Sequence, residues 1–148
     1  MAKHDPLDTV LKLATEAEEQ AALQLQSAQL ALQKCQSQLG ALRNYRLDYM
    51  KQMETNHGKT ISASYYHQFH QFVRQIDDAI VKQITSITEA DTQRLYRQQY
   101  WQEKQQKRKA VELLLAHKAE KAQLAELRLE QKLTDEFASQ QFYRKRSR

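Results

Sequence analysis

Helical heptads run through almost the whole of this chain, and very few residues could interrupt them. Pro6 is the sole proline, and Gly40 and Gly58 are the only glycines. Only Gly58 sits in a cluster of helix breakers, Thr55-Asn56-His57-Gly58-Lys59-Thr60. A chain of 148 residues with one such cluster can reverse direction once. The pattern predicts an all-α fold, a long antiparallel two-helix coiled coil (a helical hairpin) with an extended C-terminal helix. The expected layout is a single coiled-coil domain over 1–148, with a helix over about 5–55, a turn over about 56–62, a helix over about 63–140 and a basic tail at 143–148. A bare hairpin encloses no pocket, so such a protein acts by what it touches.

The first helix is expected to open with Asp5 as N-cap and Pro6 as first helical residue. Its apolar positions then step by three and four through Leu7, Leu11, Ala14, Ala21, Leu25, Ala28, Leu32, Cys35, Leu39, Leu42, Tyr49 and Met53, broken only by Glu18 and Arg46. That period describes a coiled-coil seam and not a broad globular face. Gly58 suits the left-handed end of a helix, and Ser62 or Ser64 can cap the next one. The second helix replies with Tyr66, Phe69, Val73, Ile76, Ile80, Ile87 and Ala90, interrupted by Gln83, and regains the phase at Val111, Leu115, Ala122, Ala125 and Leu129. Between them, residues 91–109 offer Leu95, Tyr96, Tyr100 and Trp101, which are expected to fill the space left by alanines of the first helix.

Antiparallel pairing about this turn sets Met53 near Tyr66, Leu42 near Ile76 and Leu7 near Glu112. The second helix then outruns the first while still carrying Leu124, Leu127, Leu129, Leu133 and Phe137. Apolar groups with no intramolecular partner point to an interaction site. Off the seam runs a second line, Gln38, Leu42, Tyr45 and Tyr49, answered by Phe72, Ile76, Ala79 and Gln83. Tyr45 and Phe72 are expected to meet there and to stay at least half exposed, as aromatic groups at binding hot spots do.

Charge is 28% of the residues and mean hydropathy is −0.84. The net charge of +5 comes wholly from the second half, through Arg94 to Lys109 and the tail Arg144-Lys145-Arg146-Ser147-Arg148. A basic helix embedded in an antiparallel hairpin is not the arrangement of a groove-reading zipper, so no nucleic acid partner is expected. No run of about 18 apolar residues occurs, so no membrane insertion is expected. The N-terminus lacks the apolar core of a signal peptide. The lone Cys35 fits a reducing cytoplasm. His67 and His70 share a face without an acidic or cysteine ligand nearby, so no metal is expected. With no phosphate-binding glycine loop and no nucleophile in a strained turn, neither an enzyme nor a cofactor is expected.

Several short patterns resemble the flagellar export protein FliJ family. They are Leu7…Leu11-Lys12-Leu13-Ala14…Glu16, Gln38-Leu39…Leu42…Tyr45…Tyr49, Phe72…Ile76…Ala79-Ile80, and most specifically Lys132-Leu133-Thr134-Asp135-Glu136-Phe137-Ala138. The resemblance implies a non-enzymatic component of the flagellar type III export apparatus, serving motility, cytoplasmic and peripherally associated with the inner membrane. It implies a stalk-like hairpin that inserts into the ring of the hexameric export ATPase FliI, promotes its assembly and turnover, and couples it to the cytoplasmic domain of the export gate protein FlhA. Handling of export chaperones is also implied. Gate contact carries over to Gln38, Leu42, Tyr45, Tyr49, Phe72, Ile76, Ala79 and Gln83, with Gln83 departing from the family's usual residue type. The stalk likeness puts the ring contact at Leu124, Leu127, Arg128, Leu129, Lys132, Leu133 and Phe137. The alternatives are an injectisome ATPase stalk and a purely structural coiled-coil spacer.

Overall fold

The computed structural model describes residues 5–55 and 62–146, and these form two helices, α1 Pro6–Thr55 and α2 Ala63–Arg146, packed against each other as an all-α hairpin. The expected turn with Gly58, the N-terminal stretch Met1 to His4 and the final Ser147 and Arg148 lie outside the described residues. Asp5 caps α1, its Oδ1 accepting from the Leu7 amide at 2.9 Å and its carbonyl from the Asp8 amide at 2.9 Å. Of the two serines offered as caps for α2 it is Ser62 that serves, its Oγ accepting from the Tyr65 amide at 3.1 Å. Such a cap supplies an oxygen to amides that have no carbonyl one turn back.

The heptad phase read from α1 is the phase that is covered. Every seam position from Leu7 to Met53 is buried or half-buried, including the two polar breaks Glu18 and Arg46. Contacts divide the chain into two compact units, Glu19–Glu103 on one hand and Met1–Glu18 with Lys104–Arg148 on the other.

Within Glu19–Glu103 the core is a narrow seam with Ala21, Phe69, Val73 and Ile76 buried. Cross-helix pairs fix the register: Tyr49 with Phe69, Cys35 with Gln83 and Gln24 with Arg97. Tyr66, expected to open the α2 seam, is instead exposed and takes His70 edge-on at 4.3 Å. Gly40 stands mid-helix on the outside of α1, with no atom within 4 Å of the place a Cβ would take. Glycine there costs about 1 kcal/mol relative to alanine without any packing in return.

The other unit holds its start of α1 against α2 through buried Ala14 and Val111, with Leu7, Leu11 and Leu115 half-buried. Asp5 reaches Lys118 at 2.8 Å, about one helical turn beyond the expected register, a distance that a lysine stem spans readily. From Ala116 onward every described residue is exposed. α2 also continues to Arg146, past the expected end near residue 140 and into the stretch 143–148 set apart as a basic tail. No glycine or proline interrupts Gln140 to Arg146, and Arg144, Lys145 and Arg146 in the last turn suit the negative end of the helix dipole.

Candidate functional site

The two off-seam lines do meet, and Tyr45 and Phe72 form their centre. Their rings lie edge to face at 5.9 Å. Tyr49 closes on Phe72 at 4.5 Å and stacks on Phe69 at 5.1 Å, with 10° between the planes. Each such aromatic pair adds about 0.5–1.5 kcal/mol beyond its buried area. Tyr45 is 53% exposed, as expected. Phe72 is more covered than expected, because Tyr45 and Tyr49 roof it from two sides, and it is half-buried in consequence. Ile76 is a buried seam residue at 5% exposure, so a partner on this surface cannot reach it directly. Leu42, Tyr49 and Ala79 are half-buried and Gln38 is exposed.

Gln83, which breaks the α2 seam, joins the same flank by hydrogen bonding. Its Nε2 donates to the Cys35 carbonyl at 2.9 Å and to Gln38 Oε1 at 3.0 Å. A covered amide so satisfied fixes the local register, since slipping it would leave the donors without acceptors. Arg46 does the equivalent beside the aromatic cluster, its Nε donating to Asp77 Oδ1 at 2.7 Å. The sequence had marked Gln83 and Arg46 as interruptions, and the missing information was their cross-helix partners.

The basic interval 94–109 takes a different place from the one its composition suggests. Leu95 and Tyr96 point outward, leaving Tyr100 and Trp101 as the half-buried aromatics of this stretch. The seam phase itself falls on Arg94, Arg97, Trp101, Lys104 and Arg108, and all five are half-buried. Trp101 is the one aromatic in this part of the seam, and the rest of it is taken by long cationic stems, whose methylenes cover the seam while the heads find acceptors. Arg94 donates to Asp91 at 2.9 Å and to Gln98 at 2.9 Å, and Arg97 donates to Gln24 at 3.0 Å. Arg108 binds Glu18, the acidic seam break of α1, and Glu112 at 2.8 Å. The hydrogen bonds that Arg108 donates to Glu18 and then to Glu112 raise its pKa above its already high ordinary value, so this cation is never lost at accessible pH.

The third feature is the bare stretch of α2. Leu124, Leu127, Leu129, Leu133 and Phe137 are each close to half or more exposed, and Arg128 and Lys132 stand among them. At 100° per residue, Leu129, Leu133 and Phe137 share one side, and Leu124 and Leu127 face another. Arg128, Lys132, Asp135, Glu136 and Tyr143 line a shallow groove there, formed by the side chains of this single helix. No helix among the described residues is long and apolar enough to cross a membrane.

Comparison with known proteins gives one consistent result. The family described as Flagellar FliJ protein matches residues 3–147. A flagellar FliJ protein of Salmonella typhi is 30% identical over 145 residues, covering 98% of this chain and 99% of the relative. The flagellar FliJ protein of Escherichia coli (strain K12) is 29% identical over 145 residues, again covering 98% and 99%.

Proposed function

The chain belongs to the flagellar FliJ protein family, and we propose that it acts as the central stalk of the flagellar type III export ATPase. In this reading the hexameric ATPase ring takes up the bare part of α2, and the aromatic flank around Tyr45 and Phe72 engages the cytoplasmic domain of the export gate at the inner membrane. The protein performs no chemistry itself; it couples two machines by contact.

The observation that carries this reading is the run of α2 from Ala116 to Arg146, exposed throughout and still supplied with large apolar residues. A helix kept apolar on more than one side suits burial inside a surrounding assembly better than docking on a flat surface. One asymmetric shaft in a six-fold ring touches only some subunits at a time. It shifts each subunit between states only as far as its contacts with those states differ. Arg128 and Lys132 add attraction to acidic groups, a contribution that salt weakens. A structural spacer has no need of the aromatic flank, and the flagellar family match speaks for the flagellar system over an injectisome.

The test is a pull-down of the full chain with the export ATPase and the gate domain of its own organism, with ATP turnover measured alongside. Both should bind, and turnover should rise. The Leu129→Asp, Leu133→Asp, Phe137→Asp variant should lose the ATPase and keep the gate domain. Retention of full stimulation by that variant would place the ring contact elsewhere.

A further inference from the structure

We propose that residues 5–18 of α1 form a releasable strap, which detaches from α2 and unwinds as a unit, uncovering the α2 seam from Lys104 to Leu115. Within Glu19–Glu103 the helices are held by large side chains: Phe69, Val73 and Ile76 are buried, and Tyr49 stacks on Phe69. The strap has no such core. Ala14 is its one buried residue, and Val111 is the one buried residue among those described in the α2 part of the same unit. Leu13 is 60% exposed. With Val10, Ala14 and Ala17 it lines an open groove of about 300 Å³ beside Lys104 and Lys107. Atoms facing an open gap lose the contacts that would hold the two helices together.

Charge does the holding instead, once at each end of the strap. At its start, Asp5 Oδ2 accepts from Lys118 at 2.8 Å, while Oδ1 caps the Leu7 amide at 2.9 Å. At its end, Glu18 takes the Arg108 guanidinium, which also bonds Glu112 at 2.8 Å. An exposed pair contributes little, and a covered one gives back much of its attraction in lost hydration. Closure made this way is weak and sensitive to salt. Once off α2, so short a stretch gains little from its own helical bonds, so detachment and unwinding go together. The seam beneath does not stop where the strap does. Arg108, Val111 and Leu115 continue in the same heptad phase through Lys118, Ala122, Ala125 and Leu129, all four of them exposed. That continuity gives the opening a use, which rests on the stalk reading. A ring that takes up the bare helix meets the strap at Leu115 and gains more of the seam only by displacing it. The strap therefore limits how deeply the ring engages α2.

The test is hydrogen exchange of the full chain, followed by mass spectrometry of its peptides, in about 0.01 M and about 1 M sodium chloride. Between these the screening length falls from about 30 Å to about 3 Å. Residues 7–18 should exchange at least about tenfold faster than residues 19–50, and at one common rate, as a single opening unit does. High salt should speed them a further two- to fivefold or so. Asp5→Asn keeps the cap but drops the ionic tie, so in low salt it should exchange nearly as fast as the parent does in high salt. Glu18→Leu with Arg108→Leu replaces the covered pair by apolar contact. That closed variant should slow residues 7–18 at least about tenfold and stimulate the export ATPase less than about half as well as the parent. Exchange of residues 7–18 as slow as that of 19–50, a rate graded steadily from the N-terminus, or a parent indifferent to salt overturns the strap. Full stimulation by the closed variant overturns its role at the ring. A parent that fails to stimulate at all counts against the stalk reading, while the exchange rates still decide the strap.

Discussion

The aromatic flank at Tyr45 and Phe72 and the bare stretch of α2 beyond Leu115 both expose large apolar groups, but the two are held in different ways. Around Tyr45, each ring rests on another: Tyr45 on Phe72, Phe72 under Tyr49, Tyr49 on Phe69, with Arg46 anchored to Asp77 alongside. Beyond Leu115, Leu129, Leu133 and Phe137 rest on nothing but their own helix. A partner that binds the flank meets a preformed surface, with little ordering left to do. A partner that binds the bare helix must supply all the burial, and can gain more by doing so. Substitution of a supporting ring such as Phe72 should therefore damage fold and binding together on the flank, whereas any substitution on the bare helix should damage binding alone.

The largest effect should come from removing the bare helix outright. Ending the chain after residue 120 discards no buried residue, so the melting temperature should hold while stimulation of the ATPase is abolished and gate binding survives. Seven large hydrophobic side chains are lost, Leu124, Leu127, Leu129, Leu133, Phe137, Phe142 and Tyr143, and a leucine or phenylalanine is worth roughly 1.5–3 kcal/mol when fully buried. A fall in melting temperature of more than a few degrees would show that this stretch supports the fold, and the contrast between the two regions would collapse.

Next in size is the seam beneath the flank. Ile76→Ala should cost about 2–5 kcal/mol in denaturant unfolding, because the site is buried between helices that cannot readily close on the void. Gate binding should weaken only in proportion to the unfolded fraction. If binding falls far more than stability, Ile76 is reached by the partner after an opening of the flank.

Smaller again is the effect of the rings themselves. Tyr45→Ala should weaken gate binding by more than about 1 kcal/mol, the usual mark of a hot-spot residue, with little change in unfolding. Phe72→Ala removes the ring that both tyrosines lean on, so unfolding and binding should both suffer. Equal effects from the two substitutions, in both measurements, would erase the distinction between surface and support.

How far this contrast could be read from the sequence depends on what each residue needs around it. The seam of α1 was legible to the last position because apolar periodicity records burial directly, and the cap at Asp5 was legible because capping is local chemistry, while the second cap was narrowed to Ser62 or Ser64 and falls on Ser62. The bare run of α2 followed from unequal helix lengths. The interval of Arg94, Arg97, Lys104 and Arg108 misled, since a charged residue in a seam carries no apolar signal. Its burial depends on alanines and on Glu18, some 90 residues away. Phe72 was read as more open than it is for a similar reason: its cover comes from α1 and not from its own neighbours.

The smallest effect expected is at the C-terminal end of α2, where the bare helix finishes in Arg144, Lys145 and Arg146. Reversing these three charges puts acidic groups beside unpaired carbonyls, against the sign the helix dipole favours. Each such interaction is worth about 0.3–1 kcal/mol at an exposed site, and it acts only on the last turn. The end of α2 should fray, visible as a small loss of helical circular dichroism with no shift in the main unfolding transition. Stimulation of the ATPase should fall less than about fivefold, since exposed ion pairs usually contribute under about 1 kcal/mol and apolar burial at Leu129, Leu133 and Phe137 is untouched. Should charge reversal instead match the loss caused by truncation, electrostatic seating would be the main source of affinity, and the apolar face of the bare helix would need another explanation.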